Sequence, residues 1–349
     1  MGSDQDDEVE RRLPILGFIC DSYFHFNAGA LKRALVDYHD HIERGGNMFW
    51  SLAGAMSTAR LGIHLAPAIR AGLVHGLSVT GANLEESLFR LVAHDHFADF
   101  HDYRYLGKDD DAAILARRQR RVTDTSIPED EAFRKVEELI VPMWQRAEAD
   151  GTPRFWHEYF YELITDPALR PAFEGRPEEC WLLAAAEADL PMMVGGYADS
   201  TFGNIFASYC YRGDLTPGIA RSDIEYMAHF YDVYRQRLST GGQGVGFFQI
   251  GGGIAGDFPI CVVPSIRYDL EEEVEPWAYF CQISDSVTSY GSYSGATPNE
   301  KITWDKLTPT TPMHVIESDA TIVAPLLLQA LLEARHHPAE ADVVLGRMR

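Results

Sequence analysis

The feature that most constrains this chain is a recurring unit, in which a short apolar run leads into a turn of small residues and then a helix-patterned stretch. At "MFWSLAGAM", Met48 to Met56, a buried strand runs into such a turn, and "STARLGIHLAPAIRAG" continues as a helix that Gly72 ends. "LVHGLSVTGANLEESLFRLVAH" repeats the plan with a strand to Thr80, a Gly-Ala-Asn turn and a helix opened by Glu85 and Glu86, whose charges suit a helix N-terminus. "MMVGGYADSTFGNIFASYC", "GVGFFQIGGG" and "HVIESDATIVAPLLLQALLEA" supply further strand-and-turn units. Short runs that are apolar throughout, set between helices, specify an α/β fold with a mainly parallel sheet covered by helices on both faces.

The rest of the chain fits around that plan. Helical periodicity covers Phe26 to Glu43, where Gly45 and Gly46 stop it, and a second helix is expected from Ser126, with Pro128 near its first position. No linker and no internal repeat divides the sequence. One domain is therefore expected over residues 13–335, with an acidic tail at 1–12 and a C-terminal tail at 336–349.

Charge narrows the function. The formal net charge is -22, from 52 acidic and 30 basic residues, which argues against nucleic acid, whose phosphates need neutralising. Such a surface either serves solubility or draws small cations such as amines. No apolar run reaches the roughly 18 residues of a membrane span, and the N-terminus lacks a signal-peptide pattern. The five cysteines are widely spaced without metal-ligand spacing, which points to a reduced, cytoplasmic protein. The pairs His39/His41 and His94/His96 are two residues apart and face different sides of a helix, so no metal is expected.

In a sheet of this kind, ligands bind beyond the carboxyl ends of the strands. Four strand-end turns are candidates: Ala53–Thr58, Thr80–Glu86, Gly195–Asn204 and Glu317–Thr321. Each is open to two readings, a tight turn or part of a nucleotide site, and their number favours the second. Gly251–Gly253 is either a phosphate loop or a place of close backbone packing. The segment "SYGSYSGATPNEKITWDKL" carries Glu300, Lys301, Trp304 and Lys306. It is either a surface loop ending in a helix, or it holds a lysine against an apolar wall, where burial favours the neutral, nucleophilic amine.

The motif "YGSYSGATPNEKITWDK" resembles the active-site segment of deoxyhypusine synthases, roughly F-D-G-S-D-S-G-A-x-P-D-E-x-x-S-W-G-K. "TGANLEES", "YADSTFGN", "IGGGIAGD", "RRVTDTSIPEDEAF" and "ESDATIVAPLL" are similar to further ordered motifs of that family, from about residue 47 to 330. The resemblance implies a Rossmann-like NAD-binding fold, a homotetramer with active sites at subunit interfaces, and small cationic amines as substrates. It also implies a redox-neutral cycle in which an amine is oxidised to an imine, its alkyl group passes to a lysine and then to a second amine, and the product is reduced. Lys306 matches the imine-forming lysine, Trp304 the channel tryptophan and Glu300 the amine-binding carboxylate. Gly54, Ala55, Thr58, Thr80, Gly81, Glu86, Asp199, Gly252, Asp319 and Ala320 match nucleotide contacts, with the Gly54–Thr58 turn altered from the family's S-N-L-I-S.

The departures lie in amine recognition. Asn204 stands for a substrate-binding aspartate, Asp257 for the catalytic histidine, and Tyr290 and Tyr293 for two aspartates. An amide and two phenols suit a planar guanidinium, and Asp257 restores a negative charge. The sequence thus resembles the bacterial branch of the family that acts on small polyamines, with agmatine and its product 1,9-bis(guanidino)-5-azanonane as the expected pair. Deoxyhypusine synthesis, homospermidine synthesis and non-catalytic NAD or amine binding are the alternatives.

Overall fold

The computed structural model describes residues 12–348, so all but the last residue of the expected N-terminal tail lies outside the described residues. In chain order the strands are β1 (Asn47–Leu52), β2 (Gly76–Val79), β3 (Ala98–Asp99), β4 (Gln119–Val122), β5 (Thr125–Pro128), β6 (Met192–Met193), β7 (Val245–Ile250), β8 (Tyr279–Ser284) and β9 (Met313–Glu317). Six form one sheet in the order β6-β2-β1-β7-β8-β9, and every pairing in it is parallel. Ranked by appearance within that sheet, the order is 3-2-1-4-5-6, that of doubly wound dinucleotide-binding folds. The winding reverses between β1 and β7, and the ligand crevice of such folds opens at that point, beyond the strand ends.

The strands β1, β7 and β8 are almost wholly buried along their length, as strands covered on both faces must be. Their register sorts the side chains into two layers. Trp50 and Phe248 stack on one face, where Tyr38 of the helix Phe26–Glu43 meets both, together with Tyr279. On the other face Phe49, Phe247 and Phe280 lie opposite one another in register and form a continuous aromatic row. One pleat further toward the carboxyl ends, the same face carries Ser78, Ser51, Gln249 and Gln282 across β2, β1, β7 and β8. A polar row therefore lies just inside the crevice, above an aromatic one.

The structure corrects several boundaries. β1 ends at Leu52, where the small-residue turn begins as expected, but the following helix begins at Gly62 rather than at Ser57. The helix Gly81–Val92 is capped by Thr80, which leaves Glu85 and Glu86 buried a turn inside it instead of opening it. Ser126 belongs to β5, which pairs antiparallel with β3 and β4; the helix begins after Pro128, through a π-helical turn at Glu129–Arg134. The strand β8 has no sequence-based expectation at all. Of the expected C-terminal tail, Pro338–Gly346 is a helix that buries Ala341, Val344 and Leu345 against the helices Pro14–Ser22 and Ala320–His336.

Candidate active site

The polar row organises the carboxyl edge of the sheet. Gln249 donates to the Gly251 carbonyl at 2.8 Å, and its Oε1 accepts from the Tyr293 hydroxyl at 2.9 Å. Gln282 donates to the carbonyls of Gly251 and Ser294, each at 3.3 Å. Gly251 and Gly253 have φ of 71° and 63°, values that only glycine adopts at little cost. Gly252 lies so close to the next segment that a Cβ there would sit 1.8 Å from Ser294 Oγ. Close packing is therefore one task of the triple glycine: it seats the Tyr290–Asn299 loop on the end of β7.

That loop delivers the lysine. Glu300–Thr303 forms one short helical turn, after which Asp305 takes φ 57°, in the position where the family motif has glycine. Aspartate tolerates this left-handed conformation better than most residues, and a 2.7 Å ion pair with Arg267 holds it. The next residue, Lys306, is fixed through its backbone to Lys301 and Trp277. Its side chain is buried, with Nζ 3.5 Å from Asp257 Oδ1 and 5.8 Å from the centroids of the Tyr293 and Trp304 rings.

A cavity of ≈ 260 Å³ opens at this lysine, lined by Asp257, Cys261, Tyr293, Ala296, Glu300, Lys301, Trp304 and Lys306. Five expected residues thus converge: Lys306, Trp304, Glu300, Asp257 and Tyr293. Trp304 is 64% exposed and stands at the mouth. Tyr290 and Asn204 are not among the lining residues. Tyr290 is exposed, and the Asn204 amide donates to the carbonyls of Ala198 and Ser200 at 3.1 and 2.6 Å.

Lys301 carried no expected role and is the surprise of the site. Only 3% exposed, its Nζ has no hydrogen-bond partner and lies 4.7 Å from the Phe280 ring centroid and 4.8 Å from that of Tyr293. Burial first, and then the like charge of Lys306, lower its pKa from 10.5 to about 8. The signal available in the sequence was two lysines five apart around one tryptophan, but only the register of β8 puts Phe280 under the first of them.

The other expected residues lie on the turns that follow the strands along the carboxyl edge of the sheet. Thr80 Oγ1 donates to the Gly54 carbonyl at 3.0 Å and accepts from the Asn83 N–H at 3.2 Å. Asn83, which carried no expectation, ties this turn to its neighbour by donating to the carbonyls of Leu52 and Gly54 at 3.0 and 2.9 Å. Thr58 donates to Glu86 Oε2 at 2.6 Å; burial raises the Glu86 pKa, and this bond opposes the rise. Gly81 packs against Ser200, Asp199 is exposed, and Asp319 caps the helix that Ala320 begins by accepting from the Thr321 N–H at 2.8 Å. Glu85, also unforeseen, accepts from the N–H groups of Thr201 and Phe202 at 2.7 and 2.8 Å, anchoring the helix Thr201–Arg212. A glycine turn at the switch point, two capped helix N-termini and nearby carboxylates make a donor set that fits a dinucleotide.

Among the described residues, no helix is long and apolar enough to cross a membrane, and no three His, Cys, Asp or Glu side chains are grouped as a metal site. Residues 21–331 match the family model described as deoxyhypusine synthase. A deoxyhypusine synthase-like protein of Cyanothece sp. is 31% identical over 331 residues, covering 90% of this chain and 78% of its relative. One from Thermosynechococcus vestitus is 30% identical over 289 residues, covering 79% and 68%. A probable deoxyhypusine synthase of Sulfurisphaera tokodaii is 26% identical, covering 90% and 91%. The crystal structure of a candidate deoxyhypusine synthase from Entamoeba histolytica shares the fold, with a TM-score of 0.52 at 10% identity, covering 89% of this chain and 90% of that one.

Proposed function

The chain belongs to the deoxyhypusine synthase family, and on that premise we propose that it is an NAD-dependent transferase. It moves an aminoalkyl or guanidinobutyl group between small amines through an imine on Lys306. The observation that carries this reading is a lysine buried in a cavity with an aromatic wall, an acidic partner and an exposed tryptophan at the mouth.

Gly54, Ala55, Thr58, Thr80, Gly81, Glu86, Asp199, Gly252, Asp319 and Ala320 are the residues that would hold NAD. Bound there, it supplies a reversible hydride acceptor. The chain's own residues do the rest. Glu300 and Trp304 receive the cationic donor at the mouth, by charge and by the face of the indole. Lys306, once neutral, adds to the imine carbon of the oxidised donor and displaces one amine. A second amine then takes the group from Lys306, and the cycle ends redox neutral. Asp257 stabilises the lysine's cationic forms on either side of the attack.

Agmatine is the preferred substrate, giving 1,9-bis(guanidino)-5-azanonane. The neutral phenol of Tyr293 and the absence of the family's aspartates favour a flat guanidinium over a compact ammonium. Asn204 and Tyr290 lie outside this cavity and would join the site only if a neighbouring subunit of a homotetramer brought them to it. The protein is proposed to be cytoplasmic, as a single catalytic domain over 13–335.

The test is incubation with NAD and agmatine, putrescine or spermidine, followed by borohydride trapping and peptide mapping. An adduct on Lys306 is expected, and Lys306→Ala abolishes it while NAD affinity stays unchanged. Failure of all three amines to label Lys306 would refute the covalent route.

A further inference from the structure

We propose that Lys301 is the proton carrier of this cavity: its neutral amine takes the proton that Lys306 must lose before attack, then delivers it to the amine that departs. The inference rests on the transfer reading above and adds a residue that the family motif does not supply, since that motif leaves the position after its glutamate open.

Three observations support it. First, Lys301 Nζ is buried in the wall of the Lys306 cavity without a hydrogen-bond partner, although an ammonium has three donors to satisfy. A neutral amine bears that environment far better than a charged one. Second, both lysines address one ring. Lys301 Nζ lies 4.8 Å and Lys306 Nζ 5.8 Å from the Tyr293 centroid, both side chains line the same cavity, and the charge of Lys306 is felt at Lys301. Third, the acidic group is unequally shared. Asp257 pairs with Lys306 at 3.5 Å, which favours the ammonium there, whereas the rings of Phe280 and Tyr293 are the groups that Lys301 meets.

The other groups facing Lys301 are Glu300 and Asp257, which raise its pKa, and Lys306, which lowers it; burial outweighs them all. With a value of about 8, its neutral fraction at pH 7 exceeds that of an ordinary lysine by roughly 300-fold.

The step balances without an added oxidant or reductant. Lys306 passes one proton to Lys301 and becomes a free amine. Lys306 Nζ bonds to the imine carbon as the C=N π pair moves to the departing nitrogen, a second proton passes from Lys306 Nζ to that nitrogen, and the remaining C–N single bond breaks as a new C=N bond forms to Lys306. The departing amine leaves with the electron pair and takes the proton from Lys301, which is neutral again.

The experiment is single-turnover borohydride trapping with NAD and whichever of agmatine, putrescine and spermidine labels the wild type, between pH 6 and 9.5. Lys301→Met keeps the bulk of the side chain and removes the amine; Lys301→Ala leaves space for methylamine as a rescuing base. In Lys301→Met, labelling of Lys306 is expected to slow by about 100-fold, as loss of a general base does. NAD affinity stays unchanged, and the rise of the rate around pH 8 disappears. Methylamine restores Lys301→Ala but not Lys301→Met. An unchanged rate and pH profile in Lys301→Met would overturn the assignment, as would an adduct mapped to Lys301 itself. A wild type that labels with none of the amines refutes the transfer reading, and this assignment with it.

Discussion

Replacing Lys301 by methionine should stabilise the folded protein at neutral pH, a gain in stability bought with a loss of activity. The magnitude follows from the site. The amine is buried without a partner, and its pKa falls from 10.5 to about 8. At about 1.4 kcal/mol per pH unit, holding the protonated form in the fold costs roughly 3 kcal/mol relative to the unfolded chain. The sign is set by proton binding. Below pH 8 both states hold the proton and the penalty is complete. Between about 8 and 10.5 the folded state has released its proton while the unfolded state keeps it, so wild-type stability rises with pH. Above 10.5 both are neutral and the penalty is gone. Methionine matches the volume and polarity of the lysine stem, so apolar contacts with Phe280 and Tyr293 are kept. Urea denaturation of both proteins at equal concentration, from pH 6.5 to 10.5, reads the difference directly. The variant is expected to lead by roughly 3 kcal/mol at pH 7, and the lead should shrink toward zero across the upper window. A variant that is less stable at pH 7, or a difference that does not change with pH, would refute the claim that burial depresses this amine.

Two further perturbations test the crevice. Thr58→Val removes the 2.6 Å hydrogen bond to buried Glu86 and leaves that carboxyl without its donor; a loss of about 1–3 kcal/mol in urea denaturation is expected, with a weaker NAD affinity. Gly252→Ala places a methyl 1.8 Å from Ser294 Oγ and must push the lysine-bearing loop off β7, so trapping at Lys306 should fall at least tenfold, on the scale set by misplacement of reacting groups. Adding Ser294→Gly removes the colliding side chain and should restore part of the rate, which separates loop displacement from a direct role of Gly252.

Much of the molecule was legible because its signals are local. The helix Phe26–Glu43 ends where its periodicity meets two glycines, and the turns after β1, β2, β6, β7 and β9 announce themselves by small residues following apolar runs. The errors share a cause. β8 is buried on both faces, so burial imposes no inside–outside alternation on it between the acidic run Glu271–Glu275 and the loop that follows. Ser126 and Pro128 look like a helix start, yet antiparallel pairing with Arg121 and Gln119 claims them for a strand. Glu85 and Glu86 look like first-turn acids, but Thr80 already caps the helix, and both carboxylates are committed to other segments. The C-terminal helix is buried in part by the helix Pro14–Ser22, more than three hundred residues earlier in the chain, which no local pattern reveals.

By itself the sequence determined the α/β class, the ordered motifs, and the segment from Glu300 to Lys306 as the place to look for chemistry. Those are properties of residue type and spacing along the chain. The tertiary structure decided how charge is distributed in the site. Parallel register set Phe280 beneath Lys301, the helix after the glycines carried Asp257 to Lys306, and Gln249 accepted a hydrogen bond from the Tyr293 hydroxyl. Whether a lysine is an exposed cation or a buried base depends on what surrounds its nitrogen, and here those neighbours come from strands, helices and loops far apart in sequence.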